Sequence, residues 1–316
     1  MIPLVRRFHQ LARVPRVALG RGATPVVSVP LAGGLWIKRD DVYADPIGGN
    51  KARALEFLLG AVTRGGDIAT VGSEGSTHAL AVATYGKRLD SKVFVGRWRQ
   101  EMNPAAERVS ARIERTAHRA PVFRNPIGSY AWALTQRARG AFWIPAGGST
   151  PLGILGHVNA GLELIEQIDA GTVPAPEFVV VPLGTGGTAA GIALAFAAAQ
   201  RDITVVGARV VPRIVARKSR VVGLARGTAR LIEHLTGDRL PPLRSDRLVI
   251  ADETYGGAYG RETDAGKSAA EQLRNVSRVR LDATYSAKAF AHALEVASRG
   301  PTLFWLTFDS RILGAT

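Results

Sequence analysis

Apolar residues recur along the chain in two alternating patterns: short unbroken runs, and longer stretches with apolar positions three or four apart. In the first half, Leu35–Lys38, Ile68–Val71, Lys92–Val95, Pro121–Phe123 and Phe142–Ile144 read as strands. Between them, Asn50–Ala61 reads as a helix with Leu55, Leu58 and Leu59 as apolar positions, followed by helices at Thr77–Lys87, Pro104–Thr116 and Tyr130–Arg139. The second half continues the alternation with helix Leu155–Ile168, strand Phe178–Val181, helix Thr188–Ala199, strand Ile203–Ala208, helix Val215–Leu235 and strand Leu248–Ile250. Helices at Thr263–Gln272 and Ser286–Ser298 then precede a last strand, Thr302–Leu306. Short apolar strands separated by helices of about 10–15 residues predict βαβ units and parallel sheets. The expected architecture is α/β, with two domains of open, twisted, mainly parallel sheets. A smaller α/β domain is expected over 48–160 and a larger, cofactor-binding one from 1–47 plus 161–316, with ligands at the carboxyl ends of the strands.

Composition narrows the chemistry. The 46% apolar fraction is ample for a core, and the absence of cysteine excludes disulfides, zinc–thiolate sites and thiol nucleophiles. No metal is expected at the site. No uninterrupted apolar run approaches the roughly 20 residues of a membrane span. The stretch Met1–Arg21 carries five arginines and no apolar core of a secretory signal, so a cytoplasmic protein away from the membrane is expected. The net charge of +15 raises nucleic-acid binding. Its arginines, however, are spread along the chain, densest at Arg97–Arg99 and Arg213–Arg220, without a zinc finger, an RNA-recognition signature or a long basic helix. A solvated basic surface is the simpler reading, and no nucleic-acid partner is expected.

Three motifs carry candidate chemistry. In Ile47-Gly48-Gly49-Asn50-Lys51-Ala52-Arg53, one lysine follows two glycines at the start of a helix. A cation there gains nothing from the helix dipole, so it is either an ordinary surface lysine or, if desolvated, an amine nucleophile. In Pro182–Gly191, Gly184-Thr185-Gly186-Gly187-Thr188 joins an apolar strand to an alanine-rich helix, where backbone N–H groups can cradle a phosphate. A dinucleotide fingerprint fits poorly, because Ala189 stands at the third-glycine spacing and the loop lies past mid-chain. In Gly72-Ser73-Glu74-Gly75-Ser76-Thr77-His78-Ala79, Ser76 and Thr77 are good helix caps, or donors to a substrate carboxylate. A reactive lysine together with a phosphate cradle is what pyridoxal phosphate requires.

In this order, the motifs resemble the family of 1-aminocyclopropane-1-carboxylate deaminases and D-cysteine desulfhydrases. These are pyridoxal phosphate enzymes of the tryptophan-synthase-β-like fold, fold type II. The resemblance runs from about Leu35 to Phe304 through Lys38-Arg39-Asp40-Asp41, Gly48–Lys51, Ala146–Gly153, Gly184–Thr188, Gly257-Ala258-Tyr259-Gly260 and Leu281-Asp282-Ala283-Thr284-Tyr285-Ser286. It implies pyridoxal 5′-phosphate as cofactor, carried by Lys51, and a phosphate loop of Gly184, Thr185, Gly186, Gly187 and Thr188. Asn50 is implied as a further cofactor contact, Ser76 as the substrate-facing serine, Tyr259 and Tyr285 as active-site tyrosines, and Ser286 as partner of the pyridine nitrogen. It also implies a small amino-acid substrate and a homodimer. Three positions depart from the family pattern: Thr77 replaces the asparagine that contacts the cofactor's 3′-oxygen, Leu80 replaces a common arginine, and Leu306-Thr307-Phe308-Asp309-Ser310 replaces a His-Thr-Gly-Gly-like turn.

Position 286 discriminates between reactions. A carboxylate there protonates the ring nitrogen, as suits ring-opening deaminases, whereas the neutral hydroxyl of Ser286 is expected to leave it unprotonated and to favour α,β-elimination. The expected reaction is therefore desulfhydrase-like release of an oxo acid and ammonia. The alternatives are deaminase-like ring opening and a pyridoxal-phosphate-binding protein that has lost turnover. A side chain at Gly186 is expected to intrude where the phosphate approaches.

Overall fold

A computed structural model describes residues 1–258 and 260–313. The chain begins with a short helix α1 (Pro3–Arg7), strands β1 (Val26–Ser28) and β2 (Leu35–Lys38), and helix α2 (Asn50–Gly60). Next come β3 (Ile68–Ser73), α3 (Thr77–Lys87), β4 (Val93–Trp98), α4 (Pro104–Thr116), β5 (Val122–Phe123), α5 (Pro126–Ala138) and β6 (Phe142–Ile144). A long helix α6 (Pro151–Asp169) leads to β7 (Phe178–Leu183), α7 (Gly187–Ala198), β8 (Thr204–Arg209), α8 (Lys218–Thr236) and β9 (Leu248–Ala251). The described chain continues through α9 (Asp264–Val276), α10 (Ser286–Ala297) and β10 (Thr302–Trp305).

These strands form two sheets, a six-stranded one in the order β1-β2-β10-β7-β8-β9 and a four-stranded one in the order β5-β4-β3-β6. Pairing is parallel throughout except for β1, which runs antiparallel along β2 (Val27 opposite Ile37). Strand β10 enters the middle of the larger sheet, with Phe304 opposite Ile37 on one side and Val180 on the other. The carboxyl ends of β2, β10 and β7 thus lie side by side. One face of this sheet packs on α6, α7 and α8 through residues such as Val179, Leu303, Leu155 and Leu194, and the other on α9 and α10 through Phe304, Phe290 and Leu273. Leu55, Leu58, Leu80, Val95 and Ile144 belong to a separate core around the smaller sheet.

Helix starts follow local chemistry. Asn125 and Thr150 accept from backbone N–H groups three residues on, and Pro126 and Pro151 occupy the first helical positions. Helices α5 and α6 therefore begin four residues earlier than their apolar spacing predicts. The boundary expected at 160 falls inside α6, whose buried residues Ile154, Leu155 and Val158 belong to the larger core.

A buried ionic cluster joins these layers. Arg53 of α2 donates to Asp40 (Nε–Oδ2 2.9 Å, Nη2–Oδ1 2.6 Å) and to Glu163 of α6 (Nη1–Oε2 3.0 Å). Lys38 of β2 donates to the same Glu163 (2.6 Å), to the Thr24 carbonyl and to Gln167, and the Trp305 indole N–H donates to Asp40 (2.8 Å). Burial alone raises the Glu163 carboxyl, but Arg53 and Lys38 outweigh it and hold it at about 2, while burial dominates at Lys38 and lowers its ammonium.

Glu163→Gln leaves two cations facing Asp40 alone and is expected to cost about 3–5 kcal/mol in urea unfolding. Because the folded carboxyl lies below its ordinary value of 4.5, the stabilisation it provides is complete above that pH and is lost as pH falls toward about 2. Unfolding free energies of wild type and variant should therefore converge in acid. A constant difference across that window would refute this account.

Candidate active site

The lysine loop is built by close backbone approach. Gly49 starts α2 with φ 81°, and a Cβ there would lie 2.3 Å from the Thr307 carbonyl oxygen. The same carbonyl accepts from Asn50 N–H at 3.1 Å, and Asp309 accepts from Gly48 N–H at 2.7 Å. The turn after β10 is thus wrapped around the loop that carries Lys51. Lys51 lines a pocket with Asn50, Thr77 at the start of α3, Tyr285 before α10, and Thr307 and Phe308 of the turn.

Asn50 joins this pocket to the glycine loop: its Nδ2 donates to Thr188 Oγ1 at 2.8 Å, and Thr188 is buried in the first turn of α7. Helix α7 begins at Gly186, in the left-handed region (φ 92°), with no side-chain cap. Thr185 shares a hydrogen bond with Ser149 (2.7 Å), which fixes the loop against the start of α6. A Cβ on Gly186 would meet Val221 at 3.1 Å in α8, so a substitution there strains the loop and its packing rather than filling the cradle, contrary to expectation. Gly184 differs: the nearest atom to its Cβ is Tyr285 Cε1, at 3.8 Å.

Electrostatics single out Lys51. Burial lowers its ammonium to about 8, against the opposing pull of the Asp282 carboxylate. Two buried histidines carry its imprint: burial and then the Lys51 charge lower both His78 and His157 to about 3, so both are neutral around the lysine. His78 Nε2 pairs with Thr70 Oγ1 at 3.2 Å, and Nδ1 of His157 has no hydrogen-bond partner among the described residues.

The other expected site residues fall around this pocket. Ser76 caps α3, its Oγ accepting from Ala79 N–H at 3.2 Å, and adjoins Thr77 at the pocket. Leu80 is buried in the smaller core. Tyr259 lies outside the described residues. Ser286 is fully buried, and its hydroxyl donates to Asp282 Oδ1 at 2.6 Å. Asp282 also accepts from the backbone N–H groups of Ser286 (2.9 Å) and Tyr285 (2.8 Å). The neutral hydroxyl expected at 286 is one half of a serine–aspartate pair. Sequence reading gave no role to Asp282, His78, His157 or Asp309. For Asp282 the signal was an acidic residue one turn ahead of a helix start, within reach of the N–H groups of Tyr285 and Ser286.

Ser76→Ala removes the cap of α3 and is expected to cost about 1 kcal/mol, measured by thermal unfolding of the cofactor-free protein. An unchanged midpoint would mean that the cap contributes nothing.

Similarity to known proteins agrees with this geometry. The pyridoxal-phosphate dependent enzyme family matches residues 17–304. The chain is 29% identical to a D-cysteine desulfhydrase of Salmonella typhi, over 94% of each chain. It is 34% identical to a nocardicin C-9′ epimerase of Nocardia uniformis subsp. tsuyamanensis, over 88% of this chain and 87% of the relative. Among solved structures, an ACC deaminase homologue superposes with a TM-score of 0.78 at 26% identity, covering 96% of this chain and 94% of the other. The two mainly parallel sheets are those of fold type II, and the chain belongs to the family of pyridoxal-phosphate-dependent enzymes, with pyridoxal phosphate as its cofactor.

Proposed function

We propose that the protein catalyses α,β-elimination on a small amino acid, in the manner of a D-cysteine desulfhydrase, releasing an oxo acid and ammonia. The observation that carries this reading is an amine lowered to about 8 in a pocket tied by one hydrogen bond, Asn50 to Thr188, to an uncapped glycine loop. The donor set fits the cofactor: Lys51 holds it covalently, and Thr185–Thr188 receive its phosphate at the start of α7. Asn50 and Thr77 border the ring and Ser286 meets its nitrogen. Bound pyridoxal phosphate supplies the electron sink that makes the substrate Cα–H acidic.

Ser76 and the first N–H groups of α3 receive the substrate carboxylate, since accepting from Ala79 leaves the serine its proton to donate. The substrate amine would displace Lys51 from the cofactor, and the freed Nζ would take the α-proton, which it can do because burial keeps a neutral amine available near pH 8. The β-substituent, such as thiolate, departs with its bonding pair on the side of Tyr285, and Tyr259 is proposed to act there too. Deaminase-like ring opening is the second reading, favoured by the Ser286–Asp282 hydrogen bond, because a carboxylate behind the hydroxyl strengthens the electron sink. A cytoplasmic homodimer acting on a free amino acid completes the proposal. Among the described residues, no helix is long and apolar enough to cross a membrane.

Oxo acid release from a panel of D- and L-amino acids and 1-aminocyclopropane-1-carboxylate separates these readings, and no turnover with any of them would refute both. Borohydride reduction followed by peptide mapping should leave the pyridoxyl label on Lys51. A label on Lys38, which is buried in the ionic cluster, or on Lys288, which donates to the Tyr255 carbonyl, would overturn the assignment. Covalent attachment should quicken as pH rises through about 8, because the ammonium form is unreactive.

Gly184→Val, whose Cβ meets little of the protein, should fold with an unchanged melting temperature. Its Kd for pyridoxal phosphate, read by absorbance titration, should rise at least about tenfold, or ~1.4 kcal/mol. Undiminished affinity would refute the phosphate-loop assignment.

A further inference from the structure

The hydroxyl of Ser286 has one proton, and it is already engaged. Its Oγ lies 2.6 Å from Asp282 Oδ1, a charge-assisted distance, in a site where Ser286 is fully buried. Both carboxylate oxygens are acceptors: Oδ1 takes the Ser286 hydroxyl and amide, and Oδ2 takes the Tyr285 amide. Burial raises the Asp282 carboxyl, while the hydrogen bonds it accepts from the Ser286 hydroxyl and amide and from the Tyr285 amide pull the other way and favour its charged form. The serine oxygen therefore has only lone pairs left to offer a further partner. A group seated against it must bring its own proton.

We propose that Asp282 is a positioning residue that fixes Ser286 as a hydrogen-bond acceptor, so that the cofactor's ring nitrogen is held there as the protonated pyridinium. The inference rests on the reading that Ser286 meets that nitrogen. It reverses the expectation from residue type alone, under which a serine donates to an unprotonated ring. One hydroxyl away from the nitrogen, the Asp282 charge stabilises the cationic ring much as a directly placed carboxylate does. The cations facing Asp282, Lys51 and Lys288, do not take over its acceptor sites: Lys288 donates to the Tyr255 carbonyl, and Lys51 opens onto the pocket. The serine–aspartate pair thus gives this chain the electron-sink strength of a carboxylate enzyme with a neutral side chain at the contact. The ring is then suited to carbanion chemistry at Cα as well as to elimination.

The test is nitrogen-15 NMR of holoenzyme reconstituted with ring-labelled pyridoxal phosphate at neutral pH. Wild type should show the pyridinium shift, and both Ser286→Ala and Asp282→Asn should move it toward that of unprotonated pyridine. An unprotonated shift in wild type that still changes in Ser286→Ala overturns the inference while leaving the nitrogen on Ser286. A pyridinium shift that persists in Asp282→Asn also overturns it, because Asp282 would then be only a helix cap. A shift indifferent to Ser286→Ala means that the nitrogen sits elsewhere, and both the inference and the reading beneath it fall. If Asp282→Asn fails to fold, the wild-type shift still tests the inference, because an unprotonated ring there overturns it.

Discussion

The charge cluster of Arg53, Asp40, Glu163 and Lys38 is the constraint on which the site's geometry depends. Its two cations and two carboxylates balance, and each is buried: Arg53, Lys38 and Asp40 are 0% exposed and Glu163 3%. A cluster of this kind adds little net stability, because desolvating the charges offsets most of their attraction. What it fixes is direction. Arg53 lies two residues beyond Lys51, so its side chain leaves α2 on nearly the opposite side. Bidentate contact with Asp40 and contact with Glu163 allow α2 one rotation about its axis, the one that turns Lys51 toward the pocket. Trp305, bonded to Asp40 from the central strand, sets the depth of the same helix against the larger sheet.

Local elements were largely legible in the sequence. Strand Leu35–Lys38 and helices Thr77–Lys87 and Pro104–Thr116 fall where periodicity puts them, because caps and apolar spacing agree there. Where the two differ, capping wins. Asn125-Pro126 and Thr150-Pro151 start α5 and α6 ahead of their first apolar turn, a local signal that apolar spacing overlooks. At α8 the helix starts at Lys218, later than the apolar spacing from Val215, because Val215 and Ala216 turn back to the Pro212 carbonyl first. Sheet order was not legible. Nothing within Thr302–Trp305 indicates that it will separate β2 from β7, since that pairing joins segments more than a hundred residues apart.

The site divides in the same way. That Lys51 and Gly184–Thr188 belong together followed from motif chemistry, and the Asn50–Thr188 bond is the contact that joins them. Motifs name residue types, however, and do not give the direction of a hydrogen bond. Ser286 as a letter is a free neutral hydroxyl, whereas in the fold its proton is committed to Asp282. Gly186 as a letter is open space for a ligand, yet in the fold its missing Cβ points at Val221 and its positive φ strains any other residue. In both cases the deciding atom lies outside the motif that names the residue.

The last described turn shows why the departures from the family pattern matter. Thr307 and Asp309 do not merely follow β10; their carbonyl and carboxylate receive the N–H groups of Asn50 and Gly48, more than 250 residues earlier in the chain. Arg311 clamps Asp309 in place and reaches the Ala44 carbonyl, closing the same loop from outside. The lysine loop therefore takes its final form only when the turn after β10 is docked against it, so the geometry of the candidate site depends on strongly non-local contacts. In place of the His-Thr-Gly-Gly-like turn of the family it resembles, this chain presents Phe308 to the pocket beside Thr77 and Tyr285. Phe308 forms one wall of that pocket without belonging to the lysine loop or the phosphate loop. Lys51 and the Gly184–Thr188 loop thus keep their motifs while one wall of the pocket is rebuilt, and the rebuilt wall belongs to the same turn that shapes the lysine loop.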